Sequence, residues 1–448
     1  MSETESAIPL VLNWKNGQKI AFRFFFIFFI IQAVPLDWKF YGTLFSINWL
    51  HPDLFSVLNL TRYSPQFLSE HALAKWGIES FGNWGVALIL AALGATIWGF
   101  ADRESKNYNL LYYYLRVLLR YRLAIGIIAY GLIKLFPLQI PPPTLSELNT
   151  NYGDFYAWKI YYLTTGMAVN HYESSLGLIE ILGGLLLLCR RTATIGAGLV
   201  ATFVINVVMA NFAYHVGDHV YATYLLVIAL FLLAYDVPRL YDLFISNKPA
   251  IANKFNPVFS KNWQSSGRLV FKYGFLLFVF FIGIITFQTY NTAPYVHPQN
   301  PGLAKSYGYY NVKEFKLNNQ LIPYSVENPD RWQNVVFEKW NTLSIKINRP
   351  VLIDATLPGQ DRFDGNYEQA GNGGRHYFSY QADTLKQLIS LTNKTQSGQK
   401  LSLHYKRLDD STIVVSGITE KRDSVYAVLE KVNRKYLLAE GRRKPVRL

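Results

Sequence analysis

The chain has 448 residues, half of them hydrophobic, with 17% charged, 16% aromatic and a mean hydropathy of +0.10. This excludes an intrinsically disordered chain, which would be poor in aromatics and rich in charge. A single cysteine excludes a disulfide framework. The charge is +14, from 44 basic and 30 acidic residues. In a soluble chain that excess would suggest nucleic acid, but no recognition motif accompanies it. Beside long apolar runs it reads as basic residues flanking membrane spans and facing anionic lipid, so the partner expected is a bilayer and not a nucleic acid.

Backbone groups in lipid must be satisfied internally, so each long apolar run is expected to be a helix. Seven runs are found, at Gly17–Leu36, Gly82–Phe100, Leu110–Pro137, Ser174–Cys189, Thr192–Phe212, His219–Tyr235 and Val270–Gln288. The first is too long for a cleaved signal, and no small-residue cleavage site follows it, so it is read as a retained helix. The third is interrupted by Arg116, Arg120 and Arg122, which predicts that it begins as a surface segment.

Lys15, Lys19 and Arg23 mark the first end as cytoplasmic, and the later basic connections alternate with it. These are Arg103 to Arg120, Arg190-Arg191, and the Arg239, Lys248, Lys254, Lys261 and Arg268 set. The expected topology is a multi-pass protein of a bacterial cytoplasmic membrane, with its N-terminus inside and its C-terminal domain outside. Two outer connections are long. Phe40–Ser80 is apolar and aromatic, which suits interfacial helices. Gln139–His171 opens on three prolines, a stiff entry into an extended segment.

After Thr289 the apolar runs give way to alternating segments separated by Asn, Asp and Gly turns. Val312–Leu317, Asn334–Lys339, Leu343–Asn348, His376–Gln381, Lys400–Leu408, Thr412–Ile418 and Ser424–Val432 read as antiparallel strands. The fold class expected is a mainly α polytopic membrane bundle over 1–290 with an all-β domain over 291–448. Gly371-Asn372-Gly373-Gly374 falls between strands and reads as a mobile loop.

Glu180 sits inside the fourth run, eight residues from its outer end at Tyr172, which puts it roughly 12 Å deep at ~1.5 Å per residue. An ionisable residue at that depth marks a proton relay or a polar ligand contact. The competing reading is a structural hydrogen bond, favoured by the adjacent Gly183-Gly184, which permits close helix approach. Lys134, late in the third run, is the expected partner of Glu180.

Asn206, Asn211 and Tyr214 close the fifth run and are candidate cofactor contacts. His215, Asp218 and His219 follow, and with His171 they form a candidate metal set. The competing reading is a polar turn at a membrane surface. No HExxH, cysteine pair or CxxCH attachment motif supports a metal or a haem. Cys189, beside Arg190, reads as a small buried hydrophobe.

Leu123–Phe136 (LAIGIIAYGLIKLF), Gly177–Gly184 (GLIEILGG) and Arg190 to Gly196 resemble the DoxX-like membrane family. The matching marks are Gly131 and Lys134 in one helix and Glu180, Gly183 and Gly184 in the next. The resemblance covers Arg116–Tyr235. The whole layout is similar to larger DoxX-like proteins of the Bacteroidetes, which carry a strand-rich C-terminal domain. It departs from them at Tyr214 to His219, where a more acidic or proline-containing turn is expected. The paired spans and long first outer loop are also similar in layout to the membrane part of vitamin-K-dependent carboxylases, without a lysine-centred motif to support it.

The DoxX-like resemblance implies a four-helix core and a redox-linked membrane subunit that uses a quinone. Glu180 would handle protons and Lys134 would be its charge partner. The alternative is a non-enzymatic envelope assembly or scaffold protein whose β domain binds an envelope partner.

Overall fold

The computed structural model describes residues 14–69, 76–139, 141–166, 171–249, 255, 257, 262–293, 297–298, 300–353, 366–419 and 422–440. Two compact units emerge. The first holds residues 1–136 and 174–288. The second is discontinuous, joining 137–173 to 289–448. The connection at 137–173, which the sequence reading kept with the helices, therefore folds with the sheet. Lys254 and Lys261 lie outside the described residues.

The helices of the first unit are α1 (Asn16–Ala33), α2 (Trp38–Ser46), α3 (Leu54–Thr61), α4 (Gly82–Ala101) and α5 (Asn109–Leu135). The second unit supplies α6 (Leu145–Leu148) and α7 (Ala157–Gly166). The first resumes with α8 (Tyr172–Leu188), α9 (Ala193–Tyr214), α10 (His219–Ala234), α11 (Val237–Phe244) and α12 (Asn262–Thr292). Local chemistry sets several of their ends. Pro35 forces Val34 into extended backbone and stops α1. Asp37 and Asp53 cap α2 and α3 by accepting from the amides of Phe40 and Ser56. His215 ends α9 in the left-handed region.

Each of the seven apolar runs is helical. Among the described residues four helices are long and apolar enough to cross a membrane, and a fifth qualifies if α10 and α11, bent by 67°, count as one. α8 is short at 17 residues, and α5 carries four basic residues. α5 is one continuous helix from Asn109, exposed at Leu110, Leu111 and Tyr114 in its first turns, and further along it Arg120 and Arg122 are buried. Backbone carbonyls explain this. Arg120 Nε donates to the Leu187 oxygen at 2.7 Å, and Arg122 donates to those of Thr61 and Tyr63 at 2.5 Å each. Arg116 lies 3.4 Å over the Tyr235 ring.

The second unit is an eight-stranded closed barrel. Its strands are β1 (Gly308–Leu317), the two-residue β2 (Gln320–Leu321), β3 (Asn334–Phe337), β4 (Thr342–Lys346), β5 (His376–Asp383), β6 (Leu388–Asn393), β7 (Lys400–Arg407), β8 (Thr412–Ile418) and β9 (Ser424–Val432), before a short α13 (Leu437–Glu440). All pairings are antiparallel and follow chain order from β3 to β9. β1 pairs with both β3 and β9, which closes the barrel and removes the open edges, and β2 adds only to the end of β1. A bulge between Val312 and Glu314 shifts the inward phase of β1 from Tyr310 and Val312 to Phe315. The core within the barrel includes Phe337, Leu343, Ile345, Tyr380, Leu391, Leu403, Val415 and Ala427.

Alternation should leave the other face of β3, β4 and β5 in water. Instead Val336, Thr342, Ser344 and Tyr377 are buried. The segment around α6 and the 366–375 stretch cover them. Thr144 and Glu147 form a capping box on α6. Ser146 then donates to the Glu338 carboxylate and shares a hydrogen bond with Ser344. Arg375 Nε donates to Ser344 Oγ at 2.8 Å. Lys159 pairs with Glu147 at 2.6 Å and reaches the Tyr367 carbonyl, and Lys394 pairs with Glu368.

The glycine-rich stretch is docked, which corrects its reading as a mobile loop. Tyr156 donates its amide to the Gly371 carbonyl, and Gly373 donates to that of Asp154. Gly371 has φ +67°, and a Cβ there would meet the Trp158 ring at 2.5 Å, so glycine is required on both counts.

Candidate functional site

In the helical unit α5 and α8 meet through glycines. A Cβ on Gly131 would meet the Gly177 carbonyl at 2.7 Å, and a Cβ on Gly177 would press on the Gly131 carbonyl and the Leu135 amide. Such a crossing brings backbones into contact. Three residues further along each helix stand Lys134 and Glu180, both buried. Lys134 Nζ donates to Glu180 Oε1 at 2.6 Å, and the side chains are 11% and 1% exposed. Glu180 Oε2 is buried and has no hydrogen-bond partner among the described residues. The Phe203 and Tyr130 rings lie 5.2 and 5.8 Å from the ammonium. The sequence placed this pair together, and the structure joins it.

A second polar cluster surrounds the turn between α9 and α10. Arg62, the residue that ends α3, pairs with Asp218 Oδ1 at 2.5 Å and donates to the Tyr130 hydroxyl at 2.8 Å. Tyr130 donates in turn to Asp218 Oδ2 at 2.8 Å. Tyr130 therefore belongs to both clusters, with its ring near Lys134 and its hydroxyl on Asp218. A cavity of about 220 Å³ opens here, lined by Gln32, Arg62, Trp84, Asp218, Tyr221 and Tyr224 among others. Sequence reasoning missed Gln32, Arg62 and Trp84, because each comes from an element remote in the chain from the turn.

The candidate cofactor contacts separate. Asn206 is exposed on α9. Asn211 is buried and consumed by the turn: its Nδ2 donates to the Val207 carbonyl and its Oδ1 accepts from the Asp218 amide. Tyr214 is exposed.

The metal set of His171, His215, Asp218 and His219 does not assemble, which corrects that reading. Among the described residues no three His, Cys, Asp or Glu side chains converge on a point. Asp218 is occupied by Arg62 and Tyr130. His219 Nε2 shares a hydrogen bond with Ser80 Oγ at 2.8 Å, and its ring stacks on Trp76 at 4.9 Å. His215 meets Trp76 edge-on. His171 belongs to the other unit. Cys189 is exposed, not buried, and free.

In the barrel unit, burial, and then the nearby Glu368 charge, push the Glu338 carboxyl up to about 7. Its partners Ser146 and Leu145 act in the opposite direction. Burial lowers the Arg375 guanidinium. Around these groups Lys159 pairs with Glu147 and Lys394 with Glu368, while Ser146 fastens α6 to the strands through Glu338 and Ser344. The cluster has the form of a structural lock.

Comparison with known proteins adds one relative. It is a Bacillus subtilis (strain 168) protein described as uncharacterized protein YwoB, 32% identical over 124 residues. The match takes in 77% of that protein and 27% of this chain. The chain belongs to the YwoB family. No family model matches the chain, and no solved structure matches it. Membership of the YwoB family carries no activity with it, and it accounts for about a quarter of the length.

Proposed function

We propose that this is a DoxX-like integral membrane protein acting as a redox-linked subunit, in which Glu180 handles protons beside a quinone and Lys134 is its charge partner. One observation carries the reading: a buried carboxylate inside a helical unit has one oxygen held by an ammonium and the other without a partner. A free oxygen on a buried carboxylate is suited to take up a proton and present it to an acceptor. Quinone reduction consumes protons as well as electrons, and a quinone carbonyl is such an acceptor. The rings of Phe203 and Tyr130 beside the pair suit a flat ligand. The electrons would come from an outer-side donor.

Support for a bilayer comes from the helices that expose apolar side chains, such as Ile89, Leu93, Ile97 and Phe100 on α4 and Val270, Leu277 and Phe280 on α12. On this reading α1, α4, α5, α8, α9, α10 and α12 cross the cytoplasmic membrane and the barrel lies outside it. The test is donor-dependent quinone reduction by the purified chain. Glu180→Gln is expected to lower turnover by roughly a hundredfold, the usual scale for a lost proton-transfer group. A native chain that changes no quinone spectrum, or a Glu180→Gln chain that matches the native rate, overturns the reading.

A further inference from the structure

Charge around the cavity at Arg62 is uneven. Both Asp218 oxygens are in use, one by Arg62 and the other by Tyr130. Arg122 adds a second, buried positive charge. Its terminal nitrogens donate to the Thr61 and Tyr63 carbonyls, with the Tyr221 and Tyr224 side chains beside the guanidinium, and no carboxylate pairs with it among the described residues. Its guanidinium lies 5.9 and 5.4 Å from the ring centroids of Tyr221 and Tyr224, and both residues line the cavity. Carbonyl dipoles and ring faces offset only part of the cost of burying a cation, which a full negative charge offsets further.

An independent observation points into the same space. Gln32, on α1, is 1% exposed and lines the cavity, and its Nε2 has no hydrogen-bond partner among the described residues. A buried donor without an acceptor is destabilising on its own. The backbone carbonyl of Gln32 accepts from the Tyr224 hydroxyl at 3.2 Å.

We propose that this cavity binds a small oxygen-rich anion, a phosphate or carboxylate group, that accepts from Gln32 Nε2 and supplies the negative charge Arg122 lacks. The volume of about 220 Å³ suits a head group and not an extended chain. Arg62 and Asp218 are each about a third exposed, so the cavity is reachable from outside. The anion is therefore either a free ion or the head of an anionic lipid. The site is separate from Glu180 and does not depend on the redox reading.

The test uses the full chain in two kinds of nanodisc. In phosphatidylcholine discs, thermal unfolding is followed as inorganic phosphate rises, against chloride at equal ionic strength. In discs containing phosphatidylglycerol, it is followed without phosphate. A saturable rise in melting temperature is expected in at least one arm. Response to phosphate identifies a free anion, and response to phosphatidylglycerol alone identifies a lipid head group. Gln32→Leu should weaken the response roughly tenfold, as loss of a hydrogen bond to a charged group does. Gln32→Glu fixes a carboxylate in the cavity, so it should raise the ligand-free melting temperature and abolish the response. No saturable rise in either arm overturns the proposal, as does a response that survives Gln32→Leu unchanged. Should that variant not fold, Gln32→Glu decides: a lower melting temperature with the response retained also overturns it.

Discussion

Ser146 and Glu338, 192 residues apart, are joined by two hydrogen bonds, one from the Ser146 amide at 2.7 Å and one from its hydroxyl at 2.6 Å. A segment between two helices of one unit is thereby fixed to the outer face of a barrel that the chain builds much later. Because Glu338 is fully enclosed, its carboxyl titrates near neutrality, and barrel stability should follow pH.

The sign follows from linkage. The folded carboxyl holds its proton up to about 7, whereas the unfolded one releases it near 4.5. Between those values the folded state binds more protons, so stability is fully present below the lower value and falls as pH rises towards 7. The loss across the window should be about 3 kcal/mol at most. Glu338→Gln should flatten this dependence, read as melting temperature of the full chain against pH.

Removing one partner of the Lys134–Glu180 pair should cost more than removing both. Lys134→Met leaves a buried carboxylate unpaired, and a loss of roughly 3–5 kcal/mol is expected. The Lys134→Met/Glu180→Leu double variant should recover much of it. Thermal unfolding of the four members of the cycle measures the coupling.

Gly177→Ala should destabilise the α5–α8 crossing by roughly 1–3 kcal/mol, because the new methyl meets backbone that cannot rotate away. Gly198→Ala is the control, since a Cβ there meets nothing. Their melting temperatures, compared directly, check this.

Cys189 is the sole cysteine and is exposed, so it reports sidedness without background. In intact cells a membrane-impermeant maleimide should leave it unlabelled. It should label a cysteine placed at Leu385, which is highly exposed between β5 and β6. Labelling of both from the same side would remove the assigned orientation.

A fragment spanning 291–448 should fold poorly by itself. Without residues 137–173 the outer faces of β3 to β5 lose their cover, and Glu338 and Arg375 lose the Ser146 and Asn149 contacts. Circular dichroism should show a less cooperative transition for this fragment than for one in which 137–173 is co-expressed.

Much of the architecture was legible because it is local. Apolar length alone located all seven long helices, and alternation located seven of the barrel strands. β6 was missed although it alternates over six residues, as long a stretch as several that were read as strands. β2 was missed because two residues carry no period. Closure of β1 on β9 and the cover over β3 to β5 depend on partners far apart in sequence, and Ser344 and Thr342 read as solvent-facing on pattern alone. The same reason hid the burial of Arg120 and Arg122, whose carbonyl acceptors lie on other segments. Lys134 and Glu180 were legible because charges within apolar runs are conspicuous. Gln32 was not, because an amide near the end of a long helix looks ordinary.

The barrel is threaded in two visits. The chain leaves the helices after residue 136, contributes one strip, returns at 174, and leaves again after 288 to supply the strands. Such a domain is not a detachable tail. It could not be gained or shed by a single fusion at one end, and one proteolytic cut in any connector would leave it tethered. Any event that separates the halves must first unravel the strip that α6 and α7 contribute.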